Sequence, residues 1–142
     1  MSFFQEIKHP FLISLSWSCK DSSFLYLLFP YVCGGELFSY LRSAGRFSPS
    51  TTLFYSAEIV SALEYLHSLS VAYRDLKPEN LLLDRQGHIV ITDFGFAKEA
   101  HAQGTLKTPC YTPYYVGETS FIVKSIQTLY HYICHASYLL GF

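Results

Sequence analysis

The sequence predicts an α+β fold in which short strand pairs flank one long helix. Two apolar runs, residues 12–17 and 24–29, stand either side of the turn-forming Ser18-Cys19-Lys20-Asp21-Ser22 and read as antiparallel strands. Between residues 49 and 68, Ile59, Ala62, Leu63 and Leu66 recur at i, i+3, i+4 and i+7, the buried face of an amphipathic helix. Further on, Leu81-Leu82-Leu83 and His88-Ile89-Val90-Ile91 read as a second strand pair around Asp84-Arg85-Gln86-Gly87, where Gly87 is free to take a positive φ.

Helix boundaries follow from local chemistry. Residues 2–9 have the pattern of last helical turns, stopping before Pro10, since proline disfavours helical geometry in its predecessor. Glu36 opens a short helix running to about Arg42, where a first-turn carboxylate favours the helix dipole. Ser48-Pro49 starts the long helix, with the serine as N-cap and the proline at the first position. His67 lies in the last turn of that helix and complements its dipole, so it is assigned no chemistry.

Composition excludes several function classes. Half of the 142 residues are hydrophobic and 15% are charged, against about 25% charged in typical globular chains. Such a chain has much apolar surface to hide. A net charge of −1 without basic or acidic runs points neither to nucleic acid nor to an anionic membrane. In the C-terminal stretch, Lys124, Gln127, His131 and His135 count against a membrane span. Cys19, Cys33, Cys110 and Cys134 form no C-x-x-C pair, which argues against a zinc site or disulfide framework. Reduced thiols and an N-terminus without a basic-then-apolar leader fit a cytoplasmic or nuclear protein.

The chemistry is concentrated in residues 73–95, YRDLKPENLLLDRQGHIVITDFG. Transfer of a γ-phosphoryl group needs little covalent help and much positioning and charge neutralisation. A carboxylate must face the incoming hydroxyl, a cation must meet the moving phosphate, and an amide oxygen plus a second carboxylate must hold Mg²⁺. Asp75, Lys77, Asn80 and Asp93 suit those four tasks in that order. The strand pair between Asn80 and Asp93 sets their separation, Phe94 should pack inward, and Gly95 should let the backbone turn sharply.

This stretch resembles the eukaryotic protein kinases, whose catalytic loop H-R-D-x-x-x-x-N is followed by D-F-G. Tyr73 replaces the histidine, as in the branch containing cyclic-AMP-dependent kinase, and Lys77-Pro78-Glu79-Asn80 marks the serine/threonine class. The runs GGELFSYLR, GRFS, LFYSAEI, EYLHS and DFGFAK resemble that same branch, protein kinase X-like members in particular, whereas TPCYTPYYV at 108–116 looks more like the MAP-kinase-activated kinases.

The resemblance implies a partial kinase fold: the end of the N-lobe strands, the hinge, and the first half of the mainly helical C-lobe. It implies Mg²⁺ as cofactor and ATP as substrate, with Asp75 and Lys77 catalytic and Asn80 and Asp93 on the metal. The hinge Pro30-Tyr31-Val32-Cys33-Gly34-Gly35-Glu36 would contact adenine around Pro30 and Val32, with Phe29 as gatekeeper. Proline lacks an N–H, but the contact at Pro30 uses the carbonyl. Glu36 would bind the ribose hydroxyls and a basic residue of the substrate, Glu79 a substrate arginine, and Thr112 belongs with the substrate-binding residues. Arg74 would receive a phosphate placed on Thr108 by a proline-directed kinase, since Pro109 follows that threonine.

By the same comparison, residues 1–116 form a truncated kinase domain and 117–142 an unrelated tail. Val116 runs into Gly117-Glu118-Thr119 where kinases continue to Ala-Pro-Glu, and the Gly-rich loop, phosphate-binding lysine and partner glutamate would lie upstream of Met1. Two functions are therefore expected: a Mg-ATP-dependent serine/threonine kinase for basic-motif proteins, inactive as this fragment, or a non-catalytic decoy that binds substrates or regulators. Without its other elements the fragment should expose apolar surface.

Overall fold

The computed structural model describes residues 7–95 and 97–99. The architecture of these described residues is α+β, with three two-stranded antiparallel sheets and two α-helices.

Strand β1 (Trp17–Lys20) pairs with β2 (Leu25–Leu28), Trp17 opposite Leu28 and Lys20 opposite Leu25. The first strand thus begins where the sequence reading ended it, and Ser18, Cys19 and Lys20 belong to the strand, not the turn. Asp21 is the cause. Its carboxylate accepts from the Ser23 and Phe24 amides, each at 2.7 Å, and from the Tyr26 hydroxyl at 2.9 Å. That fixes the turn at residues 21–24, and the ladder follows from it. Residues 11–13 pair elsewhere: the Ile91 amide donates to the Phe11 carbonyl and the Ile13 amide to the Ile91 carbonyl, both at 2.9 Å. Residues 7–9 are not helical; the rest of the helix expected over 2–9 lies outside the described residues.

Helix α1 (Leu37–Ala44) buries Leu37 and Leu41, with Glu36 at its N-cap position making no side-chain cap. Helix α2 (Pro49–Ser68) begins as the sequence reads, the Ser48 hydroxyl accepting from the Thr51 amide at 3.1 Å, a cap worth about 1 kcal/mol. Ile59, Ala62, Leu63 and Leu66 are all buried. Strand β3 (Val71–Ala72) pairs with β6 (Lys98–Glu99), and β4 (Leu81–Leu83) with β5 (Ile89–Ile91).

The core gathers Leu12, Leu37, the α2 stripe, Tyr73, one face of the β4–β5 pair (Leu81, Leu83, Ile89 and Ile91) and Phe94. The loop 74–80 is anchored at both ends by Tyr73 and Leu81 of this core. The β1–β2 pair lies apart from it: Trp17, Phe24, Leu25, Tyr26, Leu27 and Leu28 are all exposed. Among the described residues no helix is long and apolar enough to cross a membrane.

Candidate active site

Asp75, Lys77 and Asn80 converge on one carboxylate oxygen. Lys77 Nζ lies 2.8 Å from Asp75 Oδ2, and Asn80 Nδ2 donates to the same oxygen at 2.9 Å and to the Asp75 carbonyl at 3.0 Å. Asp75 and Asn80 are buried, whereas Lys77 reaches the surface. The sequence arranges this locally. Pro78 opens a single 3₁₀ turn over Pro78–Asn80, closed by the Asn80 amide donating to the Lys77 carbonyl at 3.0 Å, which folds Asn80 back over Asp75. The adjacent Asp75 carboxylate raises the Lys77 pKa, so the ammonium is fully charged at neutral pH.

The β4–β5 pair brings Asp93 to the same place. The Thr92 amide donates to the Asn80 carbonyl at 2.9 Å, so the ladder ends with Asn80 facing Thr92 and Asp93 next in line. Gly95 lies in the turn that follows, which the Ala97 amide closes on the Phe94 carbonyl at 3.0 Å. The positive φ, 57°, falls on Asp93, whose Oδ1 accepts the Gly95 amide at 3.0 Å. An aspartate tolerates this left-handed conformation because its side chain hydrogen-bonds locally. Phe94 packs inward as the sequence implies, 5% exposed and edge-on to the Tyr73 ring at 5.5 Å.

Tyr73 takes the interior position beneath the loop. It is 2% exposed, and its hydroxyl donates to the Thr92 carbonyl at 2.5 Å. Burial, reinforced by the Asp75 and Asp93 carboxylates, pushes its phenol far above the ordinary range and outweighs the opposing pull of Asn80. Arg74, next in the chain, holds φ 65°, an unusual backbone for arginine that costs of order 1 kcal/mol or more. Its expected partner Thr108, like Thr112, lies outside the described residues.

The hinge is tied to the same hairpin. The Gly34 amide donates to the Leu83 carbonyl and the Leu83 amide to the Gly35 carbonyl, both at 2.8 Å. Only glycine fits this approach, since a Cβ on Gly34 would stand 2.4 Å from the Leu83 carbonyl oxygen. Pro30 and Val32 line a cleft of about 330 Å³ together with Leu12, Ile13, Asp84 and Val90, a cleft lined by none of Asp75, Lys77, Asn80 or Asp93. Phe29 stands outside it, 37% exposed. Glu36 and Glu79 are both exposed and hence accessible to cationic side chains.

Sequence reasoning missed Glu58. Although it belongs to α2, it is 6% exposed, and its two carboxylate oxygens meet the His88 ring at 2.5 Å and the Ile89 amide at 2.8 Å. One signal was present: Glu58 stands four residues before Ala62, on the apolar stripe, where a charge requires a partner.

The donor set of Asn80 and Asp93 fits Mg²⁺. Both supply hard oxygen, and because Asn80 turns its amide nitrogen toward Asp75, its amide oxygen is directed away from that carboxylate. Among the described residues no group of three or more His, Cys, Asp or Glu is placed to hold a metal. Two protein ligands with the remaining positions left to water and phosphate is the arrangement Mg²⁺ commonly accepts.

Comparison with known proteins gives this geometry its family. Residues 1–124 match the protein kinase domain model. The chain is 64% identical over 112 residues to a cAMP-dependent protein kinase catalytic subunit 3 of Drosophila melanogaster, covering 79% of this chain and 19% of that protein. It is 61% identical over 115 residues to the cAMP-dependent protein kinase catalytic subunit PRKX of Homo sapiens, covering 81% and 32%. A catalytic subunit-like protein of Caenorhabditis elegans is 52% identical over 115 residues, covering 81% and 28%. The chain thus spans about a third or less of these three relatives. With more than half of its length matched, it belongs to the protein kinase domain family, within the cAMP-dependent serine/threonine kinase group.

Proposed function

We propose that this chain carries the catalytic loop and metal-holding hairpin of a kinase that transfers phosphoryl groups from Mg-ATP to Ser or Thr of proteins. The observation that carries the reading is the convergence of Lys77 and Asn80 on the Asp75 carboxylate, with Asp93 brought beside Asn80 by the β4–β5 ladder.

Asp75, held in one orientation by these contacts, orients the substrate hydroxyl and accepts its proton as that oxygen bonds the γ-phosphorus and the γ-phosphorus separates from ADP. Lys77, charged at neutral pH, meets the transferred phosphoryl and offsets its charge. Asn80 and Asp93 would hold Mg²⁺, which would supply positive charge against the phosphates. Pro30 and Val32 would offer backbone to adenine beside Phe29, and Glu36 would bind the ribose. The exposed carboxylates of Glu36 and Glu79 suit substrates with arginine near the phosphorylated residue. Arg74 would clamp a phosphate on Thr108 added by a proline-directed kinase, and Thr112 would border the substrate. Residues 1–116 carry this domain and 117–142 are a separate tail. The setting is cytoplasmic or nuclear.

A second reading is favoured by the bare β1–β2 face, where Trp17 is 56% and Leu28 58% exposed. The 142 residues alone would then transfer no phosphate and would act as a decoy for substrates or regulators.

The test uses purified chain with radiolabelled ATP, Mg²⁺ and a basic Ser/Thr peptide, beside Mn²⁺-ATP line broadening in NMR spectra. Broadening at Asn80 and Asp93 that an Asp93→Ala variant abolishes supports the site. Peptide labelling that disappears in the same variant shows a working enzyme, whereas broadening without labelling selects the decoy reading. No broadening from folded, monomeric chain overturns the site assignment.

A further inference from the structure

Two elements that share no chemistry in the reading above are joined through one buried carboxylate. Glu58, on α2, receives the Ile89 amide at 2.8 Å on one oxygen and the His88 ring nitrogen Nδ1 at 2.5 Å on the other. Ile89 opens β5 opposite Leu83, and three residues later, about 10 Å along the strand, Thr92 closes the ladder on Asn80 just before Asp93. A buried glutamate that replaces a ladder partner at the turn end therefore sets the height at which the metal-holding end emerges.

We propose that Glu58 is a positioning residue for the Asn80–Asp93 pair, gripping the β4–β5 hairpin through the Ile89 amide and the His88 ring, and that protonation of His88 tightens the grip. Its catalytic use rests on the kinase reading, but the mechanical coupling does not.

The surroundings of His88 support the second half. Its ring lies 5.6 Å from that of Phe54 on α2 and 6.2 Å from that of Phe11, which brings the residues 11–13 pairing into the same cluster. The titratable groups bearing on it are both carboxylates: Glu58 from α2 and, from its own turn, Asp84, whose Oδ1 accepts the His88 amide at 2.9 Å. No cation among those contacts opposes the imidazolium. The hydrogen bond to Glu58 raises the His88 pKa above 6.5 and outweighs the opposing desolvation, and the charges of both carboxylates add to the rise. An ion pair replaces a hydrogen bond between a carboxylate and a neutral ring when the ring is protonated, so the clamp is tightest below 6.5 and loosens as pH rises through the raised value.

Amide hydrogen exchange of the whole chain, corrected for intrinsic pH dependence, reads this directly at Thr92. In the unmodified chain Thr92 protection should fall as pH rises through the His88 titration, followed in parallel by imidazole NMR. His88→Gln, which keeps a hydrogen-bond donor but cannot titrate, should remove the loss of Thr92 protection with rising pH while the chain stays folded. Glu58→Gln should return the His88 titration toward 6.5 and speed Thr92 exchange by about tenfold. Thr92 protection that ignores pH in the unmodified chain, or that survives Glu58→Gln while Ile89 exchange accelerates, overturns the proposal. Should Glu58→Gln fail to fold, the unmodified chain and His88→Gln still decide. Mn²⁺-ATP that broadens neither Asn80 nor Asp93, while Thr92 protection follows His88, rejects the kinase reading and leaves the coupling standing.

Discussion

Tyr73 donates its hydroxyl proton to the Thr92 carbonyl at 2.5 Å and so joins the entry of the catalytic loop to the residue preceding Asp93. A histidine would be shorter and would reach that carbonyl differently, so the tyrosine is a structural choice with consequences for both ends of the site. Tyr73 is buried and Thr92 half-buried, and the bond lies between the loop and the end of β5.

Tyr73→Phe removes this donor while keeping the ring edge against Phe94. The Thr92 carbonyl is then left without its partner in a half-buried place, which should destabilise the chain by about 1–3 kcal/mol. Urea unfolding of the two proteins measures it. An unchanged midpoint would show that water replaces the hydroxyl.

Gly34→Ala should be harsher than an exposed Gly→Ala substitution. The new Cβ meets the Leu83 and Asp84 carbonyl oxygens at 2.4 and 2.6 Å, backbone atoms that cannot rotate away. Separation of the hinge from β4 should cost about 1–3 kcal/mol or more, and the Gly34 and Leu83 amides should exchange faster with solvent. Gly35→Ala is the informative contrast: that site has open space but φ 78°, so its cost is conformational alone.

Two histidines give stability opposite pH dependences. His9 accepts the Phe11 amide at 3.2 Å on Nδ1 and contacts Ser61 Oγ at 3.3 Å, and burial lowers its pKa below 6.5. A lowered value contributes stability that is complete above 6.5 and lost as pH falls through the folded value; His67, also lowered by burial, acts in the same sense. His88, raised by Glu58, contributes stability that is complete below 6.5 and lost as pH rises through its folded value. Thermal midpoints between pH 5 and 8.5 should therefore fall at both ends. His88→Gln should remove the alkaline fall and leave the acid one, and a profile unchanged by that substitution would contradict the assignment.

The exposed β1–β2 face should drive self-association. Phe24 at 65% exposure and Leu28 at 58% are large apolar side chains facing water. Light scattering should show mass rising with concentration, and Phe24→Ser with Leu28→Lys should lower it without moving the unfolding midpoint, since neither side chain belongs to the core. A monomer at all concentrations would mean that this face is covered by other residues of the chain.

Much of the site was legible in the residues. Asp75, Lys77, Asn80 and Asp93 lie within nineteen positions of one another in sequence, and a 3₁₀ turn and a hairpin, both short-range structures, suffice to bring them together. The start of α2 was legible for the same reason, as Ser48 and Pro49 act on adjacent amides. Tertiary structure decided that residues 11–13 stay out of β1, because they had a competing partner in Ile91, nearly eighty positions away. The positive φ of Asp93 and the edge-on seat of Phe94 against Tyr73 were visible only in the folded chain. Glu58 was invisible as a partner of His88 because thirty residues separate them and only the packing of α2 against β5 closes that gap. Local chemistry is written within a few residues and can be read there, whereas a buried charge is explained only by what the folded chain sets against it.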